Sequence, residues 1–101
     1  MFEAVVGFDW DAGNRAKCQN HGMSVAEIEA VFASPLLIIP DPAHSQSEMR
    51  VRALGRTSFG RMIFLVFTIR QKGRRRLIRP ISARYMHAKE VAWYEKENPK
   101  L

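Results

Sequence analysis

The side chains best suited to chemistry in this sequence are arginines, with one carboxylate and one histidine near them in the chain. Cleavage of RNA without a cofactor needs a group that deprotonates a 2′-hydroxyl and cations that stabilise the charged phosphate of the transition state. A guanidinium suits the second task because it is planar, binds two phosphate oxygens and stays charged. Glu48 and the nearby His44 are therefore candidate proton-transfer groups. Arg50 and Arg79 are candidate phosphate ligands.

Each of these residues also has an ordinary structural explanation. Glu48, Arg50 and Arg52 alternate along one stretch and could form a solvated strand face with cross-strand ion pairs. Arg79 lies between apolar residues of a predicted core face, so it needs either a structural ion pair or a phosphate in a cleft. His44 falls in a polar segment, where exposure to solvent is a sufficient explanation. The pattern alone leaves both explanations open.

The positive charge of the chain is concentrated in its second half. The formal net charge is +6, and residues 50–84 contain eleven cations and no acid. A one-sided distribution of this kind favours a surface that faces phosphates. Four of the cations cluster at a predicted hairpin, namely Lys72, Arg74, Arg75 and Arg76. Attraction of an RNA backbone and a plain solvated cluster explain that hairpin equally well.

Several classes of protein are excluded by what the sequence lacks. It contains no glycine-rich phosphate loop, no HExxH metal motif and no nucleophile elbow, so we expect no cofactor and no metal. Cys18 is the only cysteine, which excludes a disulfide framework and a zinc site built on paired cysteines. The first ten residues suggest neither a signal peptide nor a membrane span. We therefore expect a cytoplasmic protein.

The predicted elements begin with a strand and two helices. Apolar and partly β-branched residues predict the first strand over 2–8. Asp11 is a suitable cap for a helix over 12–21, which a following glycine would end in the left-handed conformation. A capping box that starts at Ser24 predicts a second helix, and Pro35 ends it because proline disfavours helix at the preceding residue.

The rest of the chain predicts strands and one last helix. The strands are expected over residues 36–39, 48–56, 62–69 and 74–82. Turn residues join the last three of them into antiparallel hairpins. Helical spacing predicts a C-terminal helix from Arg84 to Lys96. This order indicates one α+β domain over residues 1–101, with a sheet of about four to five strands.

The residues, taken together, resemble the BrnT toxin family. Individually weak motifs carry the resemblance by their order and spacing, which span residues 8–94. They are the opening Phe8-Asp9-Trp10-Asp11, the middle pairs His44-Ser45, Glu48 with Arg50 and Gly60-Arg61, and the close with Arg79, Ile81-Ser82-Ala83-Arg84, Glu90 and Tyr94. The chain departs from the family pattern at Met49 and Pro80, where other residues are common.

The resemblance implies a RelE-like fold, with helices packed on a twisted antiparallel sheet, and a toxin that cleaves RNA to arrest growth. It also implies a BrnA-like antitoxin whose ribbon-helix-helix region binds operator DNA, so the toxin would reach DNA only through its partner. It adds Arg84 to the candidate phosphate ligands. The candidate RNA contacts outside the catalytic set are Arg52, Arg61, Lys72, Arg74, Arg75 and Arg76.

Two alternatives without catalysis also fit the sequence. The first is an RNA-binding module that uses the basic hairpin at 74–76, and it predicts salt-sensitive binding without cleavage. The second is an interaction protein whose basic side docks on an acidic partner and has no affinity for RNA. A ribonuclease assay separates the RNA-cleaving toxin from these two alternatives.

Overall fold

The structure is a computed structural model, and it describes residues 5–40 and 49–97. Within these residues the elements follow in the order β1 (Val5–Phe8), α1 (Ala12–Gln19), α2 (Val25–Phe32), β2 (Leu37–Pro40), β3 (Val51–Arg56), β4 (Met62–Lys72), β5 (Arg75–Tyr85) and α3 (Ala88–Glu97). The three helices and five strands confirm the predicted α+β class. His44 and Glu48 lie outside the described residues.

The five strands form one mixed sheet in the order β1-β5-β4-β3-β2. Three neighbouring pairs are antiparallel, as predicted, but β1 runs parallel to β5. A short turn forces its two strands to be antiparallel, whereas strands joined by a long connection are free to be parallel. Two helices and three strands separate β1 from β5, so no hairpin dictates their relative direction.

The boundary between β5 and α3 differs from the prediction. The helix expected from Arg84 begins only at Ala88, because β5 continues to Tyr85 and pairs with β4 up to that residue. Ala83 faces the core and is 1% exposed, so this part of the strand buries apolar surface that a helix would remove from the sheet. Arg84 is therefore a strand residue.

A β-bulge interrupts the pairing of β4 with β5. Val66 lies opposite Ser82, but the next residue, Phe67, lies opposite Pro80, so Ile81 is an extra residue. Proline lacks the N–H group that a central strand must donate, and bulges are among the few places where a sheet accepts it. The bulge breaks the predicted alternation that placed Arg79 and Ile81 on one face.

Helices cover the two faces of the sheet to different extents. The first face packs against α1 and α2 and forms the larger core. Phe67 is fully buried there, and the centre of its ring lies 5.0 Å from the centre of the Phe32 ring. The second face carries a smaller cluster around Leu54 and Met62, against which α3 packs. The residues of α3 in this contact, Val91 and Tyr94, are only partly buried.

Local capping fixes the start of each N-terminal helix, as predicted. Asp11 and Asn14 form a capping box at α1, and Ser24 and Glu27 form another at α2. Asn14 is buried and does more than cap. Its side chain donates to the carbonyls of Asp9 and Pro80, each at 2.9 Å, and accepts from the N–H of Asp11 at 2.7 Å. One amide thus joins the end of β1, the start of α1 and the bulge of β5.

Candidate nucleic-acid interface

The second sheet face carries a group of basic side chains that includes several of the predicted site residues. Side chains alternate along a strand, and residues opposite each other on paired strands share a face. Thr68 lies opposite Arg79, and Phe64 lies opposite Arg84, so both arginines project from this face. We call it the cationic face, and we define it by Arg52, Arg70, Lys72, Arg79 and Arg84.

A buried carboxylate lies at the edge of the cationic face. Asp9 follows β1 directly and is 6% exposed. One of its oxygens is 3.0 Å from the Lys72 ammonium, and the other is 3.8 Å from Arg70 and 3.6 Å from Arg79. A charge that has lost its hydration needs such partners to remain in the folded protein. Asp9 thereby gathers three cations around one point.

A second carboxylate orients Arg79. The Nη2 of Arg79 donates to Asp11 at 2.8 Å, and its Nη1 faces Asp9. The Arg79 side chain is 17% exposed. The pKa of Asp11 is lowered, first by the backbone N–H of Asn14 and then by the hydrogen bond from Arg79. Of the two explanations for Arg79, the structure therefore contains the ion pair. The two carboxylates also fix the direction in which the guanidinium points.

Arg84 is held separately, by a carboxylate of α3. Both terminal nitrogens donate to Glu90, at 2.7 and 2.9 Å, and the guanidinium carbon lies 5.0 Å from the centre of the Phe64 ring. Glu90 also accepts from the backbone N–H of His87, so it anchors the first turn of the helix as well. At about 3.3 Å per residue, Arg79 and Arg84 lie roughly 13–16 Å apart along β5. The structure does not bring them to one point.

The Arg84–Glu90 pair predicts a specific dependence of stability on pH. The pKa of Glu90 is lowered from 4.5 to about 2, mainly by the hydrogen bonds from Arg84. A lowered carboxyl pKa contributes stability that is present above the ordinary value and is lost as pH falls toward the folded value. We expect the urea midpoint to fall between pH 4.5 and 2, and less steeply in Glu90→Gln. An equal slope in Arg84→Ala and in the unaltered protein would contradict this.

The other predicted residues fall into three places. Arg50 directly precedes β3 and Arg52 lies within it, and both side chains are partly buried. Arg61 is separate from the cationic face, because its guanidinium lies 3.8 Å above the ring of Tyr85, which packs against the first-face core. At the β4–β5 hairpin, Arg74 and Arg75 are exposed, next to the Lys72 that pairs with Asp9, and Arg76 is half-buried in β5.

Arg70 and three acids of this ion-pair cluster were not predicted from the sequence as members of the site. The acids are Asp9, Asp11 and Glu90. The sequence did contain a signal for them. Residues 50–84 include eleven cations and no acid, so any carboxylate partner of a cation in that segment has to come from elsewhere in the chain. All three acids also lie in segments that carried the family resemblance. The contacts of Asp9 and Asp11 depend on the pairing of β1 with β5, and that of Glu90 depends on the position of α3 beside Arg84.

Two further observations concern metal binding and membrane-spanning helices. Among residues 5–40 and 49–97, no group of three or more His, Cys, Asp or Glu side chains is placed to hold a metal ion. None of the helices in the same part of the chain is long and apolar enough to cross a membrane.

Comparison with known proteins bears on this geometry. A family model described as "Ribonuclease toxin, BrnT, of type II toxin-antitoxin system" matches residues 10–90. The matched segment contains Asp11, Arg79, Arg84 and Glu90, which form two of the ion pairs on the cationic face. The comparison with curated proteins gives no match.

Proposed function

Because the chain belongs to the BrnT family of ribonuclease toxins of type II toxin–antitoxin systems, we propose that it is a metal-independent endoribonuclease that binds RNA on its cationic face. The family predicted from the sequence is thereby confirmed. A toxin of this class has an RNA substrate and an antitoxin partner. An RNA target of this kind is consistent with action in the cytoplasm.

The observation that supports this proposal most strongly is the cluster of cations around Asp9. Arg70, Lys72 and Arg79 contact one buried carboxylate of the sheet edge. Three cations surround Asp9, and Asp11 at the rim adds a second acid. The cations still outnumber the acids, so the cluster keeps an excess of positive charge. Such an excess on rigid strands favours binding of a phosphate, whose oxygens accept charge-assisted hydrogen bonds from guanidinium groups.

In the mechanism that we propose, His44 or Glu48 removes the proton from a 2′-hydroxyl. The 2′-oxygen then attacks the adjacent phosphorus, and the bond from phosphorus to the 5′-oxygen breaks. The departing 5′-oxygen takes up a proton, which leaves a 2′,3′-cyclic phosphate on one product and a 5′-hydroxyl on the other. Cations near the phosphate stabilise the charge that develops on its oxygens before this bond breaks.

Because Arg79 and Arg84 lie apart along β5, we propose that they bind different phosphates. Val51 lies opposite Phe67, which places Arg50 at the level of Thr68, and Thr68 lies opposite Arg79. We therefore assign the scissile phosphate to Arg50 and Arg79. Arg84, which Glu90 holds further along β5, is assigned a neighbouring phosphate of the same strand. The exposed Arg74 and Arg75 extend the attraction for the RNA backbone at the other end.

The partner that we expect is a BrnA-like antitoxin with a ribbon-helix-helix region. This expectation comes from the family, in which the antitoxin dimerises and binds operator DNA. The toxin would then contact DNA only as part of that complex. Co-purification with the product of an adjacent small reading frame tests the pairing.

Incubation of the purified protein with total RNA in the presence of EDTA tests the proposal. We expect cleavage that persists in EDTA and products that end in a 2′,3′-cyclic phosphate. Cleavage that EDTA abolishes and added Mg²⁺ restores would show that the reaction needs a metal. Intact RNA at every protein concentration would contradict the enzymatic function.

A non-catalytic RNA-binding module is the second candidate. It is favoured by the exposed hairpin arginines, Arg74 and Arg75, which form no ion pair with other described residues. Salt-sensitive binding of RNA without any cleavage would select this candidate.

A further inference from the structure

The outer side of α3 differs in charge from the side that meets the sheet. Glu90 pairs with Arg84, and Glu95 lies 3.4 Å from Arg56. Two acids of the helix are thus neutralised by arginines of β5 and β3. The remaining charged side chains of the helix, Lys89, Lys96 and Glu97, are exposed, so lysines outnumber acids among them by two to one.

An exposed tryptophan lies between two lysines on that outer side. Lys89, Trp93 and Lys96 are spaced by four and three residues, which places them on one side of a helix. All three are exposed, and the indole of Trp93 is 57% exposed. Neither lysine forms an ion pair with another described residue.

The indole is held in a defined position despite its exposure. The centre of the Trp93 ring lies 4.8 Å from the centre of the Tyr94 ring, with an interplanar angle of 88°. Tyr94 in turn packs against the cluster of Leu54 and Met62 on the sheet. An aromatic ring that is already oriented loses little conformational freedom when a ligand stacks on it.

We propose that Lys89, Trp93 and Lys96 form a second RNA contact, in which a base of single-stranded RNA stacks on Trp93 and the flanking phosphates contact the two lysines. Aromatic rings among cations are the usual means of binding single strands without sequence preference. The surface adjoins the cationic face, because Glu90 lies one turn before Trp93 and binds Arg84. The inference rests on the proposed function, and it extends the substrate site.

The composition of the surface favours RNA over a protein partner. Tryptophan is common in both kinds of interface, but lysine is depleted in interfaces between proteins. Lysines on both sides of one ring, in a chain of net charge +6, match the regular negative charge of a nucleic acid backbone.

Fluorescence of Trp93 tests the proposal directly. The protein contains one other tryptophan, so a Trp10→Phe background isolates the signal of Trp93. The probe is a 2′-O-methyl oligonucleotide, which has no free 2′-hydroxyl and is not cleaved. We expect quenching on titration, and an affinity about 5- to 100-fold lower in Trp93→Ala. Trp93→Tyr should retain most of the affinity, because tyrosine also offers a stacking face.

The controls separate stacking from other effects. Trp93→Ala should fold normally, because α3 has no buried residue and alanine favours helix. Phe59 is 66% exposed and lies in the turn between β3 and β4. Phe59→Ala is therefore the matched control, because it also removes an exposed aromatic ring but should leave RNA binding unchanged.

Three results would overturn the inference in different ways. If the unaltered protein binds RNA and Trp93→Ala binds it equally well, the second contact is wrong and the proposed function stands. If the unaltered protein neither binds nor cleaves RNA, both are wrong. Loss of antitoxin binding in Trp93→Ala, with RNA binding unchanged, would assign the surface to the protein partner instead.

Discussion

Replacement of Arg79 by alanine should lower the rate of RNA cleavage by about 10²- to 10³-fold, which is the usual cost of removing one preorganised donor from a transition state. Asp9 and Asp11 hold both ends of this guanidinium, at 3.6 and 2.8 Å. Its donors are therefore oriented before the substrate arrives. A donor that needs no reorganisation stabilises the transition state more than one that must first be ordered.

The fold should survive this substitution. Asp9 keeps Lys72 at 3.0 Å and Arg70 at 3.8 Å, so it is not left as an isolated buried charge. Circular dichroism and the urea midpoint report on folding, and single-turnover cleavage reports on the rate. Arg15→Ala is the matched control, because Arg15 is exposed on α1 and forms no ion pair with the other described residues. Full activity in a folded Arg79→Ala protein would remove Arg79 from the mechanism.

Asn14→Ala should lower the free energy of unfolding by about 3 kcal/mol. The side chain is buried and makes three hydrogen bonds to the backbone at Asp9, Asp11 and Pro80. Alanine would leave two carbonyls and one N–H at this junction without their partner. Since small domains are stable by only about 5–15 kcal/mol, the loss is large.

Urea denaturation at neutral pH measures this change. Asn20→Ala is the control, because Asn20 is exposed at the C-terminal end of α1 and its contribution to the cap is a backbone N–H, which alanine keeps. The Asn14 variant should also cleave RNA more slowly, since Asp9 and Asp11 lose the amide that fixes their positions relative to β5. A loss below about 0.5 kcal/mol, the range of ordinary surface substitutions, would contradict the role we assign to this side chain.

The parts of the fold that depend on neighbouring residues could be predicted from the sequence. The caps at Asp11 and Ser24 are examples, because a capping side chain bonds to backbone only three residues away. Gly22 is another, since its φ of +92° lies in the left-handed region that follows many helices.

The parts that depend on distant pairing could not be predicted. The end of β5 is set by its pairing with β4. The helical spacing of residues 84–96 gives no information about that pairing. The site has the same limitation. The arginines are predicted from their chemistry, but the contacts of Asp9 and Asp11 with Arg79 exist only because β1 lies beside β5. The proton-transfer role of His44 or Glu48 stays a prediction.

The parallel pairing of β1 with β5 has a consequence for how the toxin matures. The backbone of Val5–Phe8 pairs with that of Arg75–Tyr85, so in a nascent chain the first strand stays without this partner until β5 has been made. Contacts between residues so far apart in sequence form late and slowly. Asp9 and Asp11 therefore cannot contact Arg79 until β5 has been synthesised and has paired with β1. The ion-pair cluster thus depends on a late contact between distant parts of the chain.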